Sequence, residues 1–290
     1  MKVPVKVDGR RLTLSNLDKV LYPETGFTKA EVIDYYTRIA PVLLPHLRDR
    51  PLTVKRYPNG VDDGFFFEKN APQHSPSWLR VVTLPVPGST KNRETIDFAV
   101  IEDLPSLAYY ANLAALELHV PQWKVGENGK PLPPDLLVLD LDPGPPATIV
   151  DCCRVAVLLR EALAADGLTA WPKTSGNKGM QLYAAWDNRV EPSHYARELA
   201  QRLEKEHPRQ VVSVMTKKLR PGKVFIDWSQ NNPAKTTVAP YSLRARPQPT
   251  VSTPLLWTEV EDCESPDELV FTAPDALARV EQHGDLFGQA

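Results

Sequence analysis

Leu136-Leu-Val-Leu-Asp-Leu-Asp-Pro-Gly144 decides how the 290-residue chain is read. Side chains alternate along a strand, so Asp140 and Asp142 share one face while Leu139 and Leu141 point to the core. Two carboxylates ~7 Å apart on that face repel, and a hard divalent cation between them removes the penalty. Pro143-Gly144 ends the strand, so the face opens at its carboxyl end, a common ligand position in open sheets. Taken alone, an Asp-x-Asp pair also fits a solvated strand end or a loop cap. Phosphatases and glycosyltransferases use the pattern too, although Pro143-Gly144 matches the usual phosphatase continuation poorly.

Two further segments sharpen the reading. In Lys223-Val-Phe-Ile-Asp-Trp228 an acid interrupts an apolar strand, and burying it unpaired is costly. Asp227 either pairs with Lys223 or a nearby arginine, or completes a three-carboxylate site for two metal ions ~3.5–4 Å apart. Thr174-Ser-Gly-Asn-Lys-Gly179 is a loop between two expected strands. Its Gly176 and Gly179 let backbone amides turn towards an anion, Ser175 adds a hydroxyl and Lys178 a charge. It is not a Walker loop, because GxxxxGK[ST] spacing is absent; a solvent-facing turn is the competing reading.

Working outward, Thr28 and Glu31 form a capping box that opens a helix from Lys29 to about Leu44. Strands are expected at 52–57, 81–86, 95–101, 136–141, 168–173, 180–185 and 224–228, and helices at 105–118, 148–165 and 193–206. The fold class is therefore α+β, with a mixed central β-sheet carrying the carboxylates and helices flanking it. The polar loop 127–134 divides an N-terminal subdomain, 1–126, from a catalytic half, 135–290, in what reads as one domain overall. No apolar run approaches the ~20 residues of a membrane helix, and the N-terminus lacks an apolar signal core, so a membrane partner is not expected. Three cysteines without a CxxC pair point to the cytoplasm and away from a disulfide scaffold or structural zinc. The 29 prolines imply stiff loops.

The formal charge of −2 hides a segregation. Residues 209–246 carry eight basic residues against one acid, Asp227, whereas 259–290 carry nine acids against Arg279. This is how a one-sided phosphate-binding surface looks when written along a chain, though a solvated face looks the same. The acidic end either covers the domain or contacts a partner. A nucleoside triphosphate carries about −4 and three carboxylates −3, against +4 from two divalent cations. About three positive charges must then come from the protein, with Lys178, Lys235, Arg244 and Arg246 as candidates.

Together Asp140-Leu-Asp142, the SGNKG loop and Phe-Ile-Asp227-Trp-Ser-Gln-Asn resemble the polymerase domain of bacterial DNA ligase D, in the archaeo-eukaryotic primase superfamily. LSNLDKVLYP near the start, KRYPNG at 55–60, FFEK at 66–69, ALELHVPQW at 115–123 and KTTVAPYSLRAR at 235–246 extend the similarity through almost the whole chain. The resemblance implies that Asp140, Asp142 and Asp227 bind two Mn²⁺ or Mg²⁺ ions, with Asp227 helping to activate the primer 3′-hydroxyl. It implies that Ser175, Lys178 and Arg244 hold the triphosphate, with His119 close to the incoming nucleotide. Asn16, Lys19 and Lys29 match the pocket for the 5′-phosphate at a gap. Phe66 and Phe67 match aromatics that stack against DNA, and Arg220 lies on a loop that approaches the template. For Lys19, Lys29, His119 and Phe65–Phe67, surface or core roles are the ordinary alternatives.

The family usually carries histidine where this chain has Gln181, a position implicated in triphosphate contact, so a retuned phosphate grip is expected. The implied activity is template-directed nucleotidyl transfer from NTPs or dNTPs, with a ribonucleotide preference. It would fill short gaps and extend broken double-stranded DNA in non-homologous end joining, near the bacterial nucleoid, beside a DNA ligase and an end-binding protein. A primase starting chains de novo and a non-catalytic DNA-end-bridging module are the rival readings. No lysine-nucleophile ligase motif is visible, so the chain is either stand-alone or one domain of a longer protein.

Overall fold

The computed structural model describes residues 2–86, 94–187 and 190–288. Two sheets organise it. In chain order their strands are β1 (Thr53–Arg56), β2 (Phe66–Glu68), β3 (Ala115–Val120), β4 (Leu136–Pro143), β5 (Ala170–Thr174), β6 (Met180–Ala185), β7 (Val211–Val212), β8 (Val224–Asp227) and β9 (Thr237–Val238). The first sheet has the order β9-β3-β1-β2, all antiparallel. The second has the order β5-β6-β4-β8-β7 and is mixed, because β7 runs parallel to β8. Helices α1 (Lys29–Leu47), α2 (Leu104–Asn112), α3 (Ile149–Ala165) and α4 (Pro192–Glu206) flank the sheets in an α+β architecture, joined by a C-terminal helix (Ala273–His283) and by two-stranded hairpins such as Arg80–Pro85 with Thr95–Val100.

Alternation along β4 does what the sequence requires. Leu137, Leu139 and Leu141 are buried against α3 residues such as Cys152, Val155 and Leu159. Thr148 caps α3, and Asp151 returns the bond to the Thr148 backbone. The same device, Thr28 with Glu31, opens α1, which runs three residues past its expected end.

Three expectations change. The helix expected over 105–118 stops at Asn112; Ala114 turns left-handed (φ 56°), and 115–120 continue as β3. Ala, Leu and Glu favour helix locally, but pairing with β1 and β9 on both edges overrides propensity. The 127–134 segment is no linker: Trp123–Val125 pairs with Pro131–Pro134 as a hairpin. Nor does packing follow the 126/135 division. Ala239, Tyr241, Leu243 and Val251, with Ala273, Ala276 and Leu277, pack into the core built on α1 and β3.

The acidic end is tied to the rest of the chain by an Arg160–Glu261 ion pair, a His46–Asp285 contact and a Tyr241 hydroxyl bond to Asp285, while Glu259 pairs with Arg279 inside that end. No described helix is long and apolar enough to cross a membrane.

Tyr36 ties the returning segment to the first core: its buried hydroxyl donates to Leu116 O (2.7 Å) and accepts from Leu243 N (3.1 Å). Tyr36→Phe strands both backbone groups and is expected to cost about 1–3 kcal/mol in urea unfolding. An unchanged midpoint would show that the segment is held by apolar packing alone.

Candidate active site

Register brings the carboxylates together. Asp140 stands directly opposite Asp227 across β4 and β8, and Asp142 lies two residues on along β4, so all three occupy one face. Among the described residues Asp227 pairs neither with Lys223 nor with an arginine. Its Oδ1 accepts from Ser229 N (3.0 Å) and from the Ser229 hydroxyl, and its Oδ2 from Gln230 Nε2 (2.9 Å). Lys235 donates to that same Ser229 hydroxyl.

Crowding shows in the electrostatics. Burial first, then the charges of Asp142 and Asp227, push the Asp140 carboxyl up to about 7. Asp142 is also raised, by burial and by Asp227, against the opposing charges of Arg220 and Lys178. Among the described residues no three His, Cys, Asp or Glu side chains are gathered into a ready-made metal cage. The donor set nonetheless fits a hard divalent cation: three carboxylates share one face, and two of them are strained by the others' charge.

The 174–179 loop sits against the end of β4. Ser175 Oγ accepts from the amides of Asn177 (3.2 Å) and Gly179 (3.3 Å). A Cβ on Gly179 would lie 2.2 Å from Leu141 O, and one on Gly176 (φ +65°) 2.6 Å from Arg244 Cγ. Glycine is therefore what lets the loop approach both β4 and Arg244. Arg244 donates to Ser175 O and pairs with Glu117 (3.3 Å), whereas Lys178 and Arg246 are exposed.

Glu117 is a hub that the sequence reading missed. Buried on β3, it meets His119 Nε2 (2.9 Å), Lys55 (3.2 Å), Arg244 and the Ala245 amide (3.2 Å). Burial works against its ionisation, but His119, Arg244 and Lys55 hold its carboxyl well below the usual range. Burial lowers the His119 pKa, against the pull of Glu117. The available signal was an acid two residues from His119 in an otherwise apolar run, hidden because that run read as the end of a helix.

Gln181 is buried and committed: Lys173 Nζ donates to its Oε1 (2.6 Å), and its Nε2 donates to Asp140 Oδ1 (3.0 Å). Gln181 thus bridges Lys173 and Asp140. Arg220 packs its guanidinium 3.7 Å above the Phe225 ring, beside Asp142, and bonds Met215 O (2.9 Å).

Away from the carboxylates, Phe65, Phe66 and Phe67 are not core residues; Phe67 is 56% exposed. Lys55 lies 5.1 Å over both Phe65 and Phe67, Arg56 5.1 Å over Phe66, and Phe67 meets the His119 ring edge-on. Lys29 is buried and donates to Ser15 O (2.6 Å), while Lys19 donates to Asn59 Oδ1 (2.8 Å) and Asn16 is exposed. Burial, then the charges of Lys19 and Arg56, draw the Lys29 pKa down to about 8. Crowded cations of this kind favour an anion.

Comparison with known proteins gives a consistent result. The family profile of the LigD primase-polymerase domain matches residues 28–287. The chain is 45% identical over 279 residues to the multifunctional non-homologous end joining protein LigD of Mycolicibacterium smegmatis, covering 95% of this chain and 35% of that protein. It is 31% identical over 281 residues to the bifunctional LigD of Bacillus subtilis, covering 96% of this chain and 44% of that protein. The chain thus spans less than half the length of these relatives. Among solved structures, the polymerase domain of Mycobacterium tuberculosis ligase D in complex with DNA matches with a TM-score of 0.89 and 45% identity, covering 95% of this chain and 96% of that one.

If like-charge repulsion strains the site, Asp142→Asn stabilises the metal-free protein, by roughly 2–4 °C in melting temperature for each kcal/mol relieved. Between its ordinary value of 3.8 and about 7, Asp140 keeps a proton that the unfolded chain has released, so stability falls as pH rises through that window. The gain is therefore expected to be larger at pH 8 than at pH 5. A lower melting temperature at pH 8 would contradict it.

Proposed function

The chain belongs to the LigD primase-polymerase domain family, and on that premise we propose that it is a template-directed nucleotidyltransferase that fills short gaps and extends broken DNA ends in non-homologous end joining. The observation that carries this reading is the register of Asp140 against Asp227 with Asp142 beside them. Divalent cations held by these three carboxylates, two Mn²⁺ or Mg²⁺ ions, would neutralise the triphosphate and polarise the α-phosphate.

The remaining roles fall to the chain's own residues. Ser175, Gly176 and Lys178 form the loop that receives the triphosphate, with Arg244 fixed beside it by Glu117. Lys235 is held at the site by Ser229, and exposed Arg246 adds charge at its margin. His119, held by Glu117, stands ready as a hydrogen-bond partner for the incoming nucleotide. Asp227, oriented by Ser229 and Gln230, would help activate the primer 3′-hydroxyl.

Asn16, Lys19 and Lys29 form the 5′-phosphate pocket in the 1–126 part, while the 135–290 part carries the catalytic carboxylates. Exposed Phe66 and Phe67, braced by Arg56 and Lys55, offer faces on which DNA stacks. A gapped or broken duplex with a 5′-phosphate is the DNA substrate, and NTPs, preferred over dNTPs, are the nucleotide source. A DNA ligase and an end-binding protein at the nucleoid are the expected partners. Mycolicibacterium and Bacillus relatives named for end joining support this setting.

Primer extension on a gapped duplex tests the reading. Wild-type protein should extend with Mn²⁺ or Mg²⁺, and Asp142→Ala should abolish extension while gapped-DNA affinity stays close to wild type. Removing the downstream 5′-phosphate should weaken binding in a salt-dependent way, and Lys29→Ala should erase that difference. Robust extension by Asp142→Ala would overturn the carboxylate assignment. Chain initiation without a primer would favour a primase, and metal-independent binding without incorporation would favour an end-bridging module.

A further inference from the structure

Lys173 is buried with no exposed surface, yet among the described residues its hydrogen-bond partners are an amide and a hydroxyl and no carboxylate. Its Nζ donates to Gln181 Oε1 and Ser252 Oγ, both at 2.6 Å, and lies 5.6 Å above the Tyr183 ring. Burial, then the charge of Arg244, draws its pKa well down. An apolar side chain of the same length would fill this place at lower cost. Too deep to meet substrate, Lys173 has no part in the roles assigned above.

The sheet register supplies the missing connection. Lys173 is the cross-strand partner of Gln181, Gln181 of Asp140, and Asp140 of Asp227, so four side chains form one row across β5, β6, β4 and β8. Directly opposed residues of antiparallel strands share a face, and hydrogen bonds join the first three members. The amide has one orientation that serves both neighbours. The carbonyl faces Lys173 and the NH₂ group faces Asp140, so each end of the amide has its partner.

We propose that Lys173 is a positioning residue for the cation site: through the Gln181 amide it ties back Asp140 Oδ1 and so presents Oδ2 to the cation. The proposal rests on the reading of Asp140, Asp142 and Asp227 as cation ligands. Glutamine suits the middle of the row because its amide accepts at one end and donates at the other. Partners that orient a metal-binding carboxylate typically change metal affinity by about 10–100-fold when removed. A purely structural lysine, anchoring β5 to the Ser252 segment, would leave that affinity alone.

The test is Mn²⁺ binding to the full chain without nucleotide or DNA, read from the electron paramagnetic resonance signal of free Mn²⁺, with melting temperature as the check on folding. Lys173→Met keeps length and apolar volume while removing the donors; it is expected to weaken Mn²⁺ binding at least about tenfold. Gln181→Met should do the same, and the double variant should be no weaker than the weaker single one, because both act through one row. Ser252→Ala removes the lysine's other acceptor and should lower the melting temperature while leaving Mn²⁺ affinity at the wild-type value.

Folded Lys173→Met with wild-type affinity, or losses that add in the double variant, would overturn the proposal. If Lys173→Met does not fold, Gln181→Met decides: unchanged affinity there overturns it equally. Wild-type protein whose Mn²⁺ binding is absent, or untouched by Asp142→Ala, would instead remove the cation-site reading and this proposal with it.

Discussion

Like-charge repulsion on one face of a β-sheet is the constraint around which this molecule is arranged. Antiparallel pairing of β4 with β8 sets Asp140 against Asp227, and strand alternation adds Asp142. The opposite face pays no such penalty: Leu137, Leu139 and Leu141 bury against α3 and hold the strand where the acids must sit. A fold that places three carboxylates together and raises two of them is less stable without a cation than it could be. Such local strain belongs to a site that serves chemistry.

The groups around the acids divide the positive charge. Lys235 and Arg220 stand beside Asp227 and Asp142, while Arg244 is held off by Glu117 and anchored to the 174–179 loop. Glu117 also fixes His119 and Lys55, and Lys55 braces the exposed phenylalanines. One buried acid thus links the first sheet's catalytic-side residues to its aromatic edge. The segment from β9 to Val251 closes the arrangement, since it pairs with β3, contributes to the first core and carries Arg244. The two sheets therefore cannot be separated at any single point in the chain.

Local patterns were legible in the sequence; long-range ones were not. Alternation placed Asp140 and Asp142, and the Thr28–Glu31 capping box marked the start of its helix at Lys29. The 105–118 segment misled because Ala, Leu and Glu suit a helix, whereas strand pairing with β1 and β9 decided its form. Prolines at 131–134 read as a linker because the hairpin depends on Trp123–Val125. Lys173 was invisible for a similar reason: its acceptor Ser252 lies 79 residues away, and nothing local marks it as buried. Gln181 stood out as a departure from the family pattern, but only the register shows that it bridges a lysine and an aspartate. The Phe65–Phe67 run fits core or surface equally by composition, and its exposure could come only from coordinates.

The central claim is that the three carboxylates converge on cations. Anomalous diffraction from crystals grown with Mn²⁺ and a nonhydrolysable nucleoside triphosphate tests it most directly. The account predicts manganese peaks bounded by Asp140, Asp142 and Asp227, with Asp227 turned from Gln230 towards the metal and the triphosphate lying along the 175–179 loop. Manganese bound elsewhere, with Asp227 still held by Ser229 and Gln230, would contradict it.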